Sequence, residues 1–152
     1  MPEQGEQAPD FTLPSTEGEV QLRDLLQGGP VLVAFYFEDA TPTCSTEIES
    51  LKDAHETLRE LGANILAISA DSIESHQKFA ERLGGLPFPL ASDADLRTAG
   101  AYDTVAEDDP RRSRRALFVV GQDGIITYAA NPFSPNSLSQ LEGALRALGL
   151  EL

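Results

Sequence analysis

Cys44 has the most distinctive chemistry in this sequence, because it is the one cysteine among 152 residues. It comes shortly after an apolar run over 31–37, and Thr41 and Pro42 between them are typical of a helix start. Thr41 is the predicted N-cap, Pro42 the first helical residue, and Cys44 a residue of the first turn. Backbone N–H groups and the helix dipole there favour a thiolate and can hold an anionic oxygen. The alternative is a small buried hydrophobic residue, the usual role of a lone cysteine.

The cysteine count also limits what other chemistry the chain can do. One cysteine cannot form an intramolecular disulfide, and thiolate metal sites need several Cys or His residues at short spacing. No Gly-x-Gly-x-x-Gly or Gly-Lys-Ser/Thr motif follows a strand pattern. We therefore expect neither a metal site nor a nucleotide site.

Charge excludes two classes of partner. The chain has 11 basic and 25 acidic residues, a net charge of −14, which repels nucleic acids and anionic lipids. The N-terminal residues 1–6 are polar and acidic, unlike a signal peptide, and the longest apolar run, 31–37, is too short to span a bilayer. We expect a cytoplasmic protein with no nucleic-acid or membrane partner.

The order of predicted elements indicates how Cys44 is positioned. Residues 31–37 and 65–69 are predicted strands that are parallel neighbours, since a helix ending near Gly62 connects them. Residues 116–120 and 125–129 are predicted to form an antiparallel hairpin. The other predicted elements are short strands at 11–13 and 20–22, an extended segment at 86–90, and helices at 72–83, 96–101 and from a capping box at 137–140 onward.

These elements form a β-α-β-α-β-β-α core behind an N-terminal β extension, which is an α/β thioredoxin fold in a single domain over residues 1–152. Cys44 then lies at the carboxyl end of a central strand, where ligands and catalytic groups of α/β sheets gather. The fold alone does not specify a function.

The residues around Cys44 carry a family resemblance. The segment 37–47 resembles the peroxidatic motif Pro-x-x-x-Thr-x-x-Cys of peroxiredoxins, the alkyl hydroperoxide reductase and thiol-specific antioxidant superfamily. It is most similar to the bacterioferritin-comigratory, or peroxiredoxin Q, branch. Further matches to the family lie at 5–13, 68–72, 88–93 and 115–120, so the resemblance covers nearly the whole chain.

The resemblance implies a thiol peroxidase that uses no metal, haem or flavin and acts on hydrogen peroxide or alkyl hydroperoxides. Cys44 would be the nucleophile that becomes a sulfenic acid. Thr41 would hydrogen-bond the peroxide, and Arg115 would stabilise the thiolate and the departing oxygen. Glu47 would orient Arg115, and its charge would oppose the thiolate unless it is paired. If the strand register shifts by one residue, Arg114 takes the role of Arg115.

Two departures from the family pattern stand out. Phe37 occupies the position of the motif proline, and we hypothesise that its ring covers the sulfur and narrows the entrance. Glu49 stands where the branch often has a second, resolving cysteine. The sulfenic acid must therefore be reduced by an external thiol: a low-molecular-weight thiol, a thioredoxin, a glutaredoxin, or Cys44 of another copy. The protein could be a monomer or a homodimer.

Two other functions stay open at this point. A catalytically weak peroxiredoxin-like protein could sense oxidation through Cys44 or bind partners, and Phe37 is the feature that favours this alternative. A dithiol oxidoreductase of the thioredoxin type is poorly supported, because Thr41 occupies the first cysteine position of Cys-x-x-Cys.

The histidines and the arginine cluster are predicted to be structural. His55 and His76 each fall on the apolar face of a predicted helix, so half-buried packing is expected. The segment 111–115 contains four arginines, and we expect those other than Arg115 to be solvated and to balance the acidic residues at 107–109. An alternative role for the cluster is docking an acidic redox partner.

Overall fold

A computed structural model describes residues 3–39, 41–134 and 138–149. Its seven strands form one mixed sheet in the order β2-β1-β5-β4-β3-β6-β7. The strands are β1 Thr12–Ser15, β2 Gly18–Gln21, β3 Val31–Phe35, β4 Asn64–Ser69, β5 Leu90–Ser92, β6 Ala116–Val120 and β7 Ile126–Ala130. The helices are α1 Leu22–Leu26, α2 Pro42–Glu60, α3 Ile73–Arg82, α4 Arg97–Ala101 and α5 Leu138–Ala147.

The centre of the sheet is arranged as the sequence predicts. β3 pairs in parallel with β4 and antiparallel with β6, and β6 forms an antiparallel hairpin with β7. All five residues of β3 are buried, because helices cover both faces of the sheet. The predicted α/β fold is confirmed.

Two hydrophobic cores lie on opposite faces of the sheet. Successive side chains of β3 alternate between them, as the period of two requires. Leu32 and Ala34 join the core that also contains Cys44 and residues of α2, α3 and α5, whereas Val33 and Phe35 join the core covered by α1 and α4. Cys44, a residue of α2, therefore packs in the core between its own helix and the sheet.

Several predicted elements differ from the structure. Leu22 begins helix α1 instead of ending a strand, because the Asp10 side chain accepts the Arg23 N–H at 3.0 Å and so satisfies the helix start from outside. The predicted strand over 31–37 ends at Phe35. Of the segment at 86–90 that is predicted to be extended, only Leu90 belongs to a strand, β5. The predicted capping box begins at Ser137, outside the described residues.

Helix α2 has 19 residues and is the longest that the structure describes. It ends at Glu60, and Gly62, just beyond the C-cap residue Leu61, has a φ of +78°, as predicted for a left-handed cap. None of the described helices is both long and apolar enough to cross a bilayer.

The loop before β3 touches the end of α2 through two glycines. A Cβ on Gly29 would collide with the carbonyl of Gly62, and its φ of +138° is unfavourable for other residues. Gly29→Ala should therefore lower the free energy of unfolding by about 2 kcal/mol or more. The neighbouring Gly28→Ala meets only ordinary contacts and is the matched control. Equal urea midpoints for the two variants would contradict this prediction.

Candidate active site

Three sequence-predicted residues meet at one edge of the sheet. β3 ends at Phe35, Phe37 lies in the loop that follows, and the chain then enters α2, whose first turn contains Cys44. The antiparallel register pairs Phe35 with Ala116, so Arg115 enters β6 at this same edge. The order of elements thus places the cysteine beside the arginine, although 71 positions separate 44 from 115.

The helix start around Cys44 has the predicted backbone. Thr41 is the N-cap with extended φ and ψ, Pro42 is the first helical residue, and the Ser45 N–H reaches the Thr41 carbonyl at 2.8 Å. The Thr41 hydroxyl does not cap the helix. It donates instead to the Glu38 carbonyl at 3.1 Å, which leaves its oxygen lone pairs free to accept a hydrogen bond.

The Cys44 sulfur is fully buried. It accepts a hydrogen bond from the backbone N–H of Phe37, with 3.3 Å between nitrogen and sulfur. Cys44 also lies in the first turn of α2. The backbone N–H groups of a first turn have no carbonyl acceptor within the helix. The sulfur therefore has one backbone donor, from Phe37, and belongs to a residue at the positive end of the helix.

Glu47 lies one turn after Cys44 and is also fully buried. Within the described part of the chain, neither of its carboxyl oxygens has a hydrogen-bond partner. Burial raises the pKa of Glu47 well above its ordinary value, the negative charge of Cys44 raises it further, and Arg115 opposes both. The carboxyl group is thus held towards its uncharged form, which relieves the repulsion that a second anion would exert on the thiolate.

Arg115 is half-buried, and its Nε is buried without a hydrogen-bond partner among the described residues. Its charge acts on Glu47, but no hydrogen bond joins the two side chains. Arg114 donates to the Asp103 carbonyl at 3.3 Å. The predicted role of Glu47 in orienting Arg115 therefore has no hydrogen bond behind it in the described residues, and burial holds the carboxyl group towards its uncharged form.

A cleft of about 760 Å³ opens beside this group of residues. One part of its wall is apolar and the other part is charged. Its lining consists of Phe37, Ala106, Glu107, Asp108, Arg114, Arg115, Pro132 and Phe133. Phe37 joins the cleft to the buried sulfur, because it lines the cleft and its backbone N–H contacts Cys44.

A buried polar network fixes the loop between β3 and α2. The Asp39 carboxylate accepts hydrogen bonds from the Tyr36 hydroxyl at 2.6 Å and the Ser75 hydroxyl at 2.7 Å. His76 is fully buried, with Nδ1 at 2.8 Å from Asp39 and Nε2 at 2.9 Å from the Ala91 carbonyl. Both ring nitrogens face oxygen atoms, so the ring is held at both ends.

Tyr36 acts as a neutral donor in this network. Its burial, reinforced by the charge of Asp39, raises the pKa of Tyr36 well above its ordinary value. The hydroxyl therefore stays protonated and donates a hydrogen bond to Asp39.

A second cluster supports the same loop from the side of β4. Asp71 accepts the Asp39 N–H at 2.9 Å, the Ser69 hydroxyl at 2.7 Å and Arg112 Nη1 at 2.6 Å. Burial alone would raise the pKa of Asp71, but the hydrogen bonds from Ser69 and Arg112 outweigh it and leave the pKa lowered. Arg112 also lies 3.5 Å from Glu38, so it ties the loop to the segment before β6.

Most of this support is not predicted by the sequence. His76 was expected to be half-buried packing, but it is a fully buried hydrogen-bonding residue. Of the arginines expected to balance 107–109, Arg111 does pair with Asp109 at 3.2 Å, whereas Arg112 pairs with Asp71. The only available signal was a histidine among the apolar positions of α3, and it does not identify a partner 37 positions earlier.

Comparison with known proteins identifies the family. Residues 4–129 match the model of the AhpC/TSA family. The chain belongs to the AhpC/TSA family. It is 35% identical over 130 residues to a peroxiredoxin of the Bcp type from Coxiella burnetii, a match that covers 82% of this chain and 85% of the relative. It is 42% identical over 100 residues to peroxiredoxin Bcp of Bacillus subtilis, covering 65% and 62% of the two chains.

A solved structure agrees with these AhpC/TSA matches. The crystal structure of peroxidoxin BcpB from Mycobacterium tuberculosis superposes with a TM-score of 0.87 at 28% identity, and the match covers 97% of each chain. The predicted membership of the peroxiredoxins and the resemblance to the Bcp and Q branch are confirmed.

The network around Asp39 yields a prediction about stability. Asp39→Ala leaves His76 and Tyr36 buried without their acceptor, so the free energy of unfolding should fall by about 3 kcal/mol in urea denaturation. Glu74→Ala is the matched control, because it removes an exposed ion pair to Lys78 and should cost less than about 0.5 kcal/mol. The network would not be a stabilising element if both variants cost the same.

Glu47 yields a prediction about pH. A raised pKa in the folded state means that stability is fully present below the ordinary pKa of a glutamate and is lost as pH rises towards the folded-state value. Glu47→Gln has no proton to lose, so its stability relative to the wild type should grow by up to about 1.4 kcal/mol per pH unit above about pH 4.5. Urea denaturation between pH 4.5 and 8 measures this difference. The control, exposed Glu49→Gln, should show no such slope, and parallel curves for Glu47→Gln and wild type would refute the prediction.

Proposed function

We propose that the protein is a thiol peroxidase of the peroxiredoxin type, with Cys44 as the nucleophile. One observation carries the assignment of the residues. A cysteine in the first turn of a helix has its buried sulfur hydrogen-bonded to a backbone N–H of Phe37, a residue that lines a cleft together with an arginine. A buried thiol that only fills space needs neither the donor nor the guanidinium.

The reaction is a two-electron transfer from sulfur to the peroxide. The Cys44 thiolate attacks the terminal oxygen of the hydroperoxide, and the S–O bond forms as the O–O bond breaks. Sulfur becomes sulfenic acid, and the peroxide leaves as alkoxide or hydroxide, which takes up a proton to give an alcohol or water. Donors are needed where negative charge moves from sulfur to the departing oxygen.

Arg115 and Thr41 are the proposed partners of the peroxide. The guanidinium of Arg115 is always charged and lines the cleft, so it can stabilise the thiolate and then the departing oxygen. The Thr41 hydroxyl already donates to Glu38, and its lone pairs can accept the O–H of the hydroperoxide. Pro42 has a supporting role. It is the first residue of α2, and where the helix begins determines where Cys44 lies.

The cleft is the proposed entrance for the substrate. Its apolar wall, which includes Phe37 and Phe133, suits the organic part of an alkyl hydroperoxide, whereas hydrogen peroxide needs only the charged end near Arg115. The ring of Phe37 is half-buried at this wall, where it narrows the approach to the sulfur. Substrate size is therefore the property that the Phe37 side chain is expected to control.

The reductant is proposed to be a separate thiol. With one cysteine per chain, the sulfenic acid must react with an external thiol to give a mixed disulfide and water, and a second thiol must release Cys44. Reaction with Cys44 of another copy would require two buried sulfur atoms to become accessible, whereas an exposed thiol requires only one. A low-molecular-weight thiol, a thioredoxin or a glutaredoxin is therefore the proposed reductant, and the reducing cytoplasm is the proposed location.

The proposed function is tested by the rate at which reduced protein reacts with hydrogen peroxide. Quenched-flow samples are trapped with dimedone, and mass spectrometry quantifies sulfenic acid on Cys44. Arg115→Ala should slow the reaction by about 100-fold, because it removes a charged donor from the departing oxygen. Exposed Arg111→Ala, which alters a nearby surface pair only, should react like the wild type.

Two outcomes decide the result. A wild-type rate far above that of a free thiol, lost in Arg115→Ala, supports the peroxidase. A rate equal to that of a free thiol in all three proteins would overturn it and leave a sensing or binding role for Cys44.

A further inference from the structure

The backbone N–H of Phe37 is a feature that the proline of the family motif cannot have. Proline has no amide proton. At position 37 this chain has a donor whose nitrogen lies 3.3 Å from the Cys44 sulfur. The departure from the motif therefore changes the backbone as well as the side chain next to the reacting atom.

The position of this donor follows from where the sheet ends. The Tyr36 N–H makes the last bond on this side of the β3 ladder, to the Ile68 carbonyl at 3.0 Å. The next N–H along the chain belongs to Phe37 and is directed at the sulfur instead of at a strand. A buried N–H needs an acceptor, and here the sulfur supplies it.

Ser113 fixes the orientation of the same peptide unit. Its buried hydroxyl donates to the Tyr36 carbonyl at 2.7 Å. In a trans peptide the carbonyl and the following N–H point in opposite directions, so a bond that holds the Tyr36 carbonyl also aims the Phe37 N–H. The peptide is clamped between the Ser113 hydroxyl on one side and the Cys44 sulfur on the other.

We propose that the Tyr36–Phe37 peptide, held by Ser113, is a preorganised donor that stabilises the Cys44 thiolate in place of the motif proline. A hydrogen bond to an anionic acceptor is stronger than one to a neutral acceptor, so the N–H favours the thiolate over the thiol. Phe37 then has two separable roles: its N–H acts on the charge of sulfur, and its ring acts on access through the cleft. This inference deepens the proposed function and rests on it for its biological meaning.

The thiolate fraction measures the first role without any peroxide. Absorbance at 240 nm is recorded against pH for each protein, and the spectrum of Cys44→Ser is subtracted, so that the signal comes from the one cysteine. Phe37→Pro removes the N–H and should reduce the thiolate-to-thiol ratio at a given pH by about tenfold, which corresponds to about 1.4 kcal/mol. Phe37→Leu keeps the N–H, loses the ring and should retain the wild-type ratio.

Ser113→Ala tests the clamp separately. It leaves the N–H in place but releases the carbonyl, so the ratio should fall between those of wild type and Phe37→Pro. Ser113 is a positioning residue in this account. Full retention of the wild-type ratio in Ser113→Ala would remove it from the proposal.

A second measurement holds even if Phe37→Pro fails to fold. In ¹⁵N-labelled wild-type protein, the Phe37 amide should exchange with deuterium more slowly than in Cys44→Ala, which lacks the sulfur acceptor. The proposal is overturned if this amide exchanges equally in both proteins, or if folded Phe37→Pro has the same thiolate ratio as Phe37→Leu.

These readouts separate this proposal from the proposed function. If the thiolate ratio and the amide exchange behave as expected but peroxide reacts at the rate of a free thiol, the donor stands and the peroxidase fails. If peroxide reacts fast in Phe37→Pro with an unchanged thiolate ratio, the peroxidase stands and the donor role is refuted.

Discussion

The site depends on keeping negative charge on a sulfur atom that water does not reach. Cys44 and Glu47 are both fully buried and lie one helical turn apart, so burial penalises each anion and each anion opposes the other. The surroundings of the two groups differ. Glu47 is held towards its uncharged form, whereas the sulfur receives the Phe37 N–H and lies at the start of a helix. The positive charge of Arg115 then stabilises one anion, the Cys44 thiolate, instead of two.

This balance holds only if the loop between β3 and α2 keeps its shape. The chain leaves the sheet after Tyr36, and the groups that fix the loop come from distant segments: Ser113 before β6, Asp71 after β4 and His76 on α3. The hydrogen bonds of a fully satisfied buried network strengthen one another and make the structure rigid. Loss of one member leaves other buried polar groups without a partner. The geometry around Cys44 is therefore a property of the folded domain and not of the local helix start.

The sequence predicts the scaffold of the site well, because strong periodic signals determine it. Continuous apolar runs specify β3, β4 and β6, and the order of elements brings Arg115 next to Cys44. Helix α1 escapes prediction, since it has five residues and its start is satisfied by Asp10, thirteen positions before Arg23.

The contacts that tune the site are the part that sequence cannot supply. The pairing of Asp39 with His76 spans 37 positions, and nothing in either local pattern names the other residue. Glu47 matches the family position, but its protonation depends on complete burial, which a residue type does not reveal. The hydrogen bond from Phe37 to the sulfur comes from its backbone, whereas a comparison of motifs considers side chains.

Phe37 shows how a motif residue can be replaced without losing the order that it provides. A proline stiffens the chain by fixing φ, which stabilises a compatible site by about 0.4–1 kcal/mol through the unfolded state. A backbone hydrogen bond contributes a net 0.5–1.5 kcal/mol, so the Phe37 N–H can offset the lost rigidity. Stability is then nearly unchanged by the exchange. The electrostatics are not, because the proline ring presents no donor to sulfur, whereas the amide stabilises its negative charge. The exchange of proline for phenylalanine at this position therefore bears on the chemistry of Cys44 more than on the stability of the fold.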